Sequence, residues 1–131
     1  YVTLVSALLK KFNRTHFMAA GGLLMVPGPI ALAFMPSWIM IAICFGVTGL
    51  GFMLLHNSIQ TEAVDLAPNA RQSAYSLHAL CFFIGQATGP IWFGLWHSGF
   101  GFALPTVLSG VILLTTGLIM AKLFARLARS G

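Results

Sequence analysis

The charged residues of this chain fall in three short clusters with long uncharged stretches between them. The clusters are Lys10, Lys11 and Arg14; then Glu62, Asp65 and Arg71; then Lys122, Arg126 and Arg129. Residues 15–61 and 72–121 contain no Asp, Glu, Lys or Arg. A bilayer core of about 30 Å needs about 20 apolar residues in a helix. Each uncharged stretch is therefore long enough to cross a membrane, turn and cross back. Two crossings return the chain to its starting side, so all three clusters are expected to face one compartment. Lys and Arg accumulate on the cytoplasmic side, which makes that compartment the cytoplasm, with the C-terminus inside as well.

Composition points the same way. Of 131 residues, 58% are hydrophobic and 7% charged, against about 25% charged in soluble domains. The net charge of +5 does not imply nucleic-acid binding, because the basic residues flank apolar spans instead of forming a basic surface. An anionic inner leaflet is the partner that fits them. Cys44 and Cys81 both fall inside expected spans and read as small buried hydrophobes, with no metal-ligand spacing between them. No cofactor and no metal site is expected.

The fold class expected is an all-α membrane protein with four complete transmembrane helices over residues 17–35, 38–60, 72–96 and 102–121. Residues 2–9 are apolar but too few to cross, since eight helical residues rise only about 12 Å. They read as the cytoplasmic end, residues 1–9, of a truncated helix that begins upstream, so the chain is expected to be part of something longer.

The first span carries Pro27 and Pro29, which remove helix donors and are expected to kink it. It is otherwise featureless, which suits a lipid-facing, peripheral place. Pro36 ends this helix and Ser37 can cap the next. The loop over residues 61–71 holds both acids, and Pro68 suits the first turn of the third span. Residues 97–101 read as the second outer turn. Trp38, Trp92 and Trp96 lie near outer span ends, where indoles favour the interface.

Polar and aromatic residues of the two middle spans sort onto faces. Thr48, Phe52, His56 and Gln60 step by four along the second span. Tyr75, His78, Phe82, Gln86, Gly89 and Phe93 step by three or four along the third. Such stripes are the lining expected of an apolar cavity with a few polar contacts, so Thr48, Phe52, His56, Phe82 and Gln86 are the candidate substrate-cavity residues. For Gln86 and Thr48 the competing readings are an interhelical hydrogen bond and a hydroxyl satisfied on its own helix. His56 and His78 both lie in the inner third of the membrane. They could face each other and pass a proton, or be two wetted interfacial rings. Gly85 and Gly89 lie on one helix face ahead of Pro90, an arrangement for close helix packing or for flexing. Lys10, Arg14, Glu62, Asp65 and Arg71 form the cytoplasmic loop set, with a local ion pair as the plain reading. No Ser-His-Asp set can be placed, and an enzyme is not expected.

At these loops and at the Gly-Pro helix the chain resembles the major facilitator superfamily of secondary transporters, specifically the C-terminal part of a twelve-helix, drug-exporter-like member. Segment 49–71 is similar to the tenth helix and its following loop, where Pro-x-x-Arg-Gly is usual; here Pro68-Asn69-Ala70-Arg71 is followed by Gln72. Segment 84–90 resembles the eleventh helix and is a relative of the antiporter motif Gly-x3-Gly-Pro-x2-Gly-Gly, with Phe93 where the first paired glycine would stand. Ser6, Lys10, Asn13 and Arg14 keep the spacing of the loop motif Gly-x3-Asp-x2-Gly-Arg but match it only at Arg14. The resemblance implies that the four spans are helices nine to twelve of a six-helix C-terminal bundle, that nine and twelve are peripheral, and that ten and eleven line the cavity. It also implies alternating access, a small-molecule substrate, protons as a possible second cargo, the remaining N-terminal helices as partner, and a plasma-membrane location, the inner membrane in a bacterium. The rival from another class is a non-transporting four-helix assembly or interaction protein. A small autonomous exporter is disfavoured, because no Asp or Glu lies within a span.

Overall fold

The computed structural model describes residues 13–34 and 37–130, and every regular element among them is helical. In chain order these are α1 (Arg14–Leu24), α2 (Pro27–Phe34), α3 (Trp38–Asp65), α4 (Arg71–Phe100) and α5 (Ala103–Ser130). The stretch Arg14–Phe34 together with α3, α4 and α5 gives four helices long and apolar enough to cross a membrane. The expected helix end over residues 1–9, and Lys10 with it, lies outside the described residues.

α1 and α2 are one span broken at Met25 and Val26. The Met25 N–H still reaches the Gly21 carbonyl at 3.1 Å, but the Val26 N–H turns to Leu23 at 3.3 Å. Pro27 and Pro29 have no N–H to carry the ladder across the break.

The other helices run past the apolar stretches that announced them. α3 and α5 have 28 residues and α4 has 30; at 1.5 Å per residue each exceeds about 40 Å, beyond the hydrocarbon core. Three expected boundaries move accordingly. Residues 61–65 are the last turn of α3, not loop, and the Leu66 N–H closes on the Glu62 carbonyl at 3.0 Å. Pro68 lies in the turn between α3 and α4 and not in a helical first turn; Ala70 is the N-cap of α4. Residues 97–100 continue α4, so the turn between α4 and α5 is Gly101 and Phe102, with Gly101 at φ +74°, a conformation glycine adopts without a Cβ clash. The basic C-terminal cluster lies on α5. Ser37 occupies the N-cap position of α3, but its hydroxyl makes no capping bond; its carbonyl accepts from Ile41 at 3.1 Å.

The first span is the most closely packed of the described helices on one face. It packs on α3 along one side and on α5 along the other, and Met18 is wholly buried. Two adjacent glycines make this possible. A Cβ on Gly21 would lie 2.8 Å from the Gly51 carbonyl oxygen of α3, and one on Gly22 would lie 2.9 Å from the Gly117 Cα of α5. Successive helical residues point about 100° apart, so a Gly-Gly pair lets two backbones approach on two sides. Met18, Met25 and Leu55 form the core beside these contacts, with Ile59, Leu113, Met120 and Phe124 packed around them. Apolarity alone could not reveal this, because a lipid-facing and a helix-facing surface have the same composition.

α4 is different. It touches α3 and α5 but has no buried residue.

Candidate functional site

The rings expected to line a cavity meet between α3 and α4. Phe52 and His56, one turn apart on α3, stack with centroids 5.2 Å apart and an interplanar angle of 18°. His78 and Phe82, one turn apart on α4, face them. The His56 ring lies 4.9 Å from that of His78 and 4.7 Å from that of Phe82, and Phe52 lies 5.9 Å from Phe82. The Nε2 atom of His78 is buried and has no hydrogen-bond partner. These four side chains form a compact aromatic box holding two titratable rings.

The upper part of the α4 stripe leaves this box. Gln86, one turn beyond Phe82, is exposed and makes no hydrogen bond among the described residues. Gly85 and Gly89 have nothing within 4 Å of where a Cβ would stand, so no described helix packs on them. The close-packing glycines are instead Gly21, Gly22, Gly51 and Gly117. Pro90 sits inside α4 without ending it. Further out, Phe93 turns to the other neighbour, edge-on to Phe102 at 5.7 Å. There Gly89, Trp92, Phe93 and Trp96 of α4 and Pro105, Leu108, Ser109 and Ile112 of α5 line a cleft of about 520 Å³. α4 thus meets α3 through its ring cluster and α5 through its outer half.

Thr48 is engaged elsewhere. Its hydroxyl oxygen accepts the Gly28 N–H at 2.9 Å, and the hydroxyl donates to the Met25 carbonyl at 3.4 Å. It bridges α3 to the break in the first span, satisfying backbone groups that the prolines set free. A Cβ on Gly28 would come 2.5 Å from Thr48 Oγ1, so the bridge needs glycine there.

At the charged end the Arg14 guanidinium donates to the Asp65 carboxylate and lies 3.6 Å from Glu62. This pair joins the start of α1 to the end of α3, so Arg14 and the two acids stand at one end of the bundle. Arg71 begins α4 at that end. Thr88, Thr106, Ser109, Thr115 and Thr116 each donate to a carbonyl three or four residues upstream. Their hydroxyls are satisfied on their own helices and offer no free polar group to the site.

A box of rings between two long apolar helices fits many membrane proteins, and family comparison decides among them. Residues 2–130 match the Major Facilitator Superfamily. The chain belongs to that superfamily. Comparison with curated proteins and with solved structures returned no match. Superfamily membership and the four long apolar helices make the chain a multi-pass membrane protein of a transporter superfamily. Its polar–aromatic face belongs to a protein of a superfamily that moves substrates across membranes.

Proposed function

We propose that this chain is the C-terminal portion of a drug-exporter-like superfamily member, supplying one wall of a cavity through which a small molecule leaves the cell by alternating access in exchange for protons. α3 and α4 correspond on this reading to helices ten and eleven, and the first span and α5 to helices nine and twelve. The charged end faces the cytoplasm. The observation that carries the reading is the asymmetry of α4. It is a long apolar helix with an aromatic and polar stripe, held to its neighbours at one ring cluster and one cleft, and with Gln86 and its glycines uncovered. Such a face needs an occupant, and the other half of a transporter with substrate between them supplies one. The tightly packed pair at Gly22 and Gly117 supports placing the first span and α5 behind the cavity wall.

The test is flux through the full-length protein in proteoliposomes, with a panel of lipophilic fluorescent dyes and an imposed pH gradient. Gradient-dependent dye movement that Phe52→Ala and Gln86→Ala alter in affinity or dye preference supports the reading. Flux that ignores the pH gradient refutes proton exchange, and variants that change only folded yield refute the cavity assignment.

A further inference from the structure

We infer that His56 and His78 together bind a single proton, shared between their imidazoles, and that this proton governs whether α3 and α4 stay joined at the ring box. The inference rests on the transporter reading above and names the site at which its proton would be held.

The two rings lie well inside the helices. His56 stands six residues before Glu62, and His78 seven residues after Arg71, about 9–10 Å along each axis from the nearest charge. The only acids on these two helices are Glu62 and Asp65 in the last turn of α3, so no carboxylate lies on the stretches of α3 and α4 that carry the rings. The ring centroids are 4.9 Å apart with planes tilted by 46°. His78 Nε2 is enclosed and unpaired, and an unpaired polar atom in apolar surroundings is costly. A neutral imidazole has one N–H and one nitrogen lone pair. Adding a proton to the lone pair of one ring gives an imidazolium with two N–H groups. One of these can donate to the lone pair of the other ring, and no other bond changes.

Burial away from water opposes charge on these rings, the aromatic neighbours offset part of that cost for one positive charge, and two charges are opposed more strongly. Phe52 stacks on His56 and Phe82 lies 4.7 Å from it, and aromatic faces attract a cation. A second proton would put two like charges about 5 Å apart away from water and is opposed. The other charged groups of the packed elements lie toward the charged end. Glu62 and Asp65 are held by Arg14; Arg71 begins α4; His16 lies on α1; Lys122, Arg126 and Arg129 lie on the last turns of α5. Tyr75 and Cys81 flank His78 on α4, and Cys44 lies further out on α3. None of these puts a carboxylate beside the pair.

The consequence is mechanical. α4 buries no residue among those described, so a charge-assisted N–H···N bond would be a substantial part of what ties it to α3. Loss of the proton removes that tie and lets the two helices part.

The test uses the full-length protein in lipid nanodiscs, labelled with ¹⁵N-histidine and followed by NMR during acidification. The expected result is an N–H···N bond visible as scalar coupling between two imidazole nitrogens, formed with uptake of one proton per pair. His56→Gln and His78→Gln each abolish that coupling and alter the titration of the remaining ring. Because the coupling is read on the unaltered protein, its absence throughout the titration overturns the inference even if a variant fails to fold. So does a His56→Gln variant whose His78 titrates as before. Dye flux measured in parallel separates the two claims. Gradient-driven flux with uncoupled imidazoles leaves the transporter reading standing and removes this one. A shared proton without any flux overturns the transport role and leaves the proton site.

Discussion

Replacing Thr48 by Val isolates the bridge that holds the broken first span against α3. Valine has nearly the same shape but neither donates nor accepts, so Thr48→Val strips two interactions at once. The bond from the Gly28 N–H is the stronger, at 2.9 Å; the one to the Met25 carbonyl, at 3.4 Å, is near the limit of a hydrogen bond. Hydrogen bonds between membrane helices average about 0.6 kcal/mol and reach about 1.7. Leaving a buried backbone donor unpaired costs about 1–3 kcal/mol. The Gly28 N–H has no alternative, because its place in the ladder is interrupted by the break. A methyl in place of Oγ1 would also stand too close to the Gly28 nitrogen and force a small shift. The upper half of the membrane range therefore applies, and the expected loss is about 1–2 kcal/mol, or about a 5–30-fold shift in the unfolding equilibrium. Thr48→Ser keeps the hydroxyl and loses one methyl, so it is expected to cost less than about 0.8 kcal/mol, the worth of a buried methylene. The measurement is reversible unfolding of the full-length protein in mixed micelles, read by helical circular dichroism. Equal losses for Val and Ser, or no loss for Val, would show that the hydroxyl does not hold the break.

Gly117→Ala is expected to destabilise by about 1–3 kcal/mol, as overpacking does, because the new Cβ would lie 2.6 Å from the Gly22 Cα and 2.9 Å from the Met18 carbonyl oxygen. Gly110→Ala, with the Pro29 ring at 3.5 Å, is the control; it is expected to be neutral or to gain up to about 1 kcal/mol of helix propensity, and the same unfolding assay compares them. Arg14→Gln is expected to weaken the protein slightly, in a way that high salt erases, because its ion pair with Asp65 is exposed; a loss unaffected by salt would mean the guanidinium acts through packing. A reporter active only in the cytoplasm is expected to work when fused after Arg71 or Arg129 and to fail after Ser37 or Gly101, and activity after Gly101 would break the four-span topology.

The number of spans and the gathering of charges at one end were legible because both follow from a single strong rule, the cost of a charge in hydrocarbon. The ends of the helices were not, because hydropathy marks where the apolar core stops and not where the helix stops. Thr61 to Asp65 and Lys122 to Arg129 are good enough helix residues to continue a ladder already formed, so α3 and α5 run on past their apolar stretches. The packing order was the least legible. Gly85 and Gly89 looked like the close-contact pair because they are four apart, yet they face open space among the described residues. The contact glycines are split between helices, Gly21 with Gly51 and Gly22 with Gly117, so no spacing within one helix marks them as partners.

The site shows the same division between local and tertiary information. Steps of four placed Phe52 with His56 and His78 with Phe82, and each pair does share a helix face. Whether the two faces meet depends on how α3 and α4 cross, and the ring distances answer that for the inner half. The same stripes also contained Thr48, which bridges to the first span, and Phe93, which meets Phe102. A helix stripe about 40 Å long spans several neighbours, so residues on one face need not share one partner. Reading such a stripe as a single cavity lining overstates what periodicity can say. What periodicity does establish is that α4 carries aromatic and polar groups along a face its two described neighbours cover only at the box and the cleft. The segment between them, at Gly85 and Gln86, is uncovered by the described residues, and on the transporter reading it is where a partner surface or a substrate would make contact.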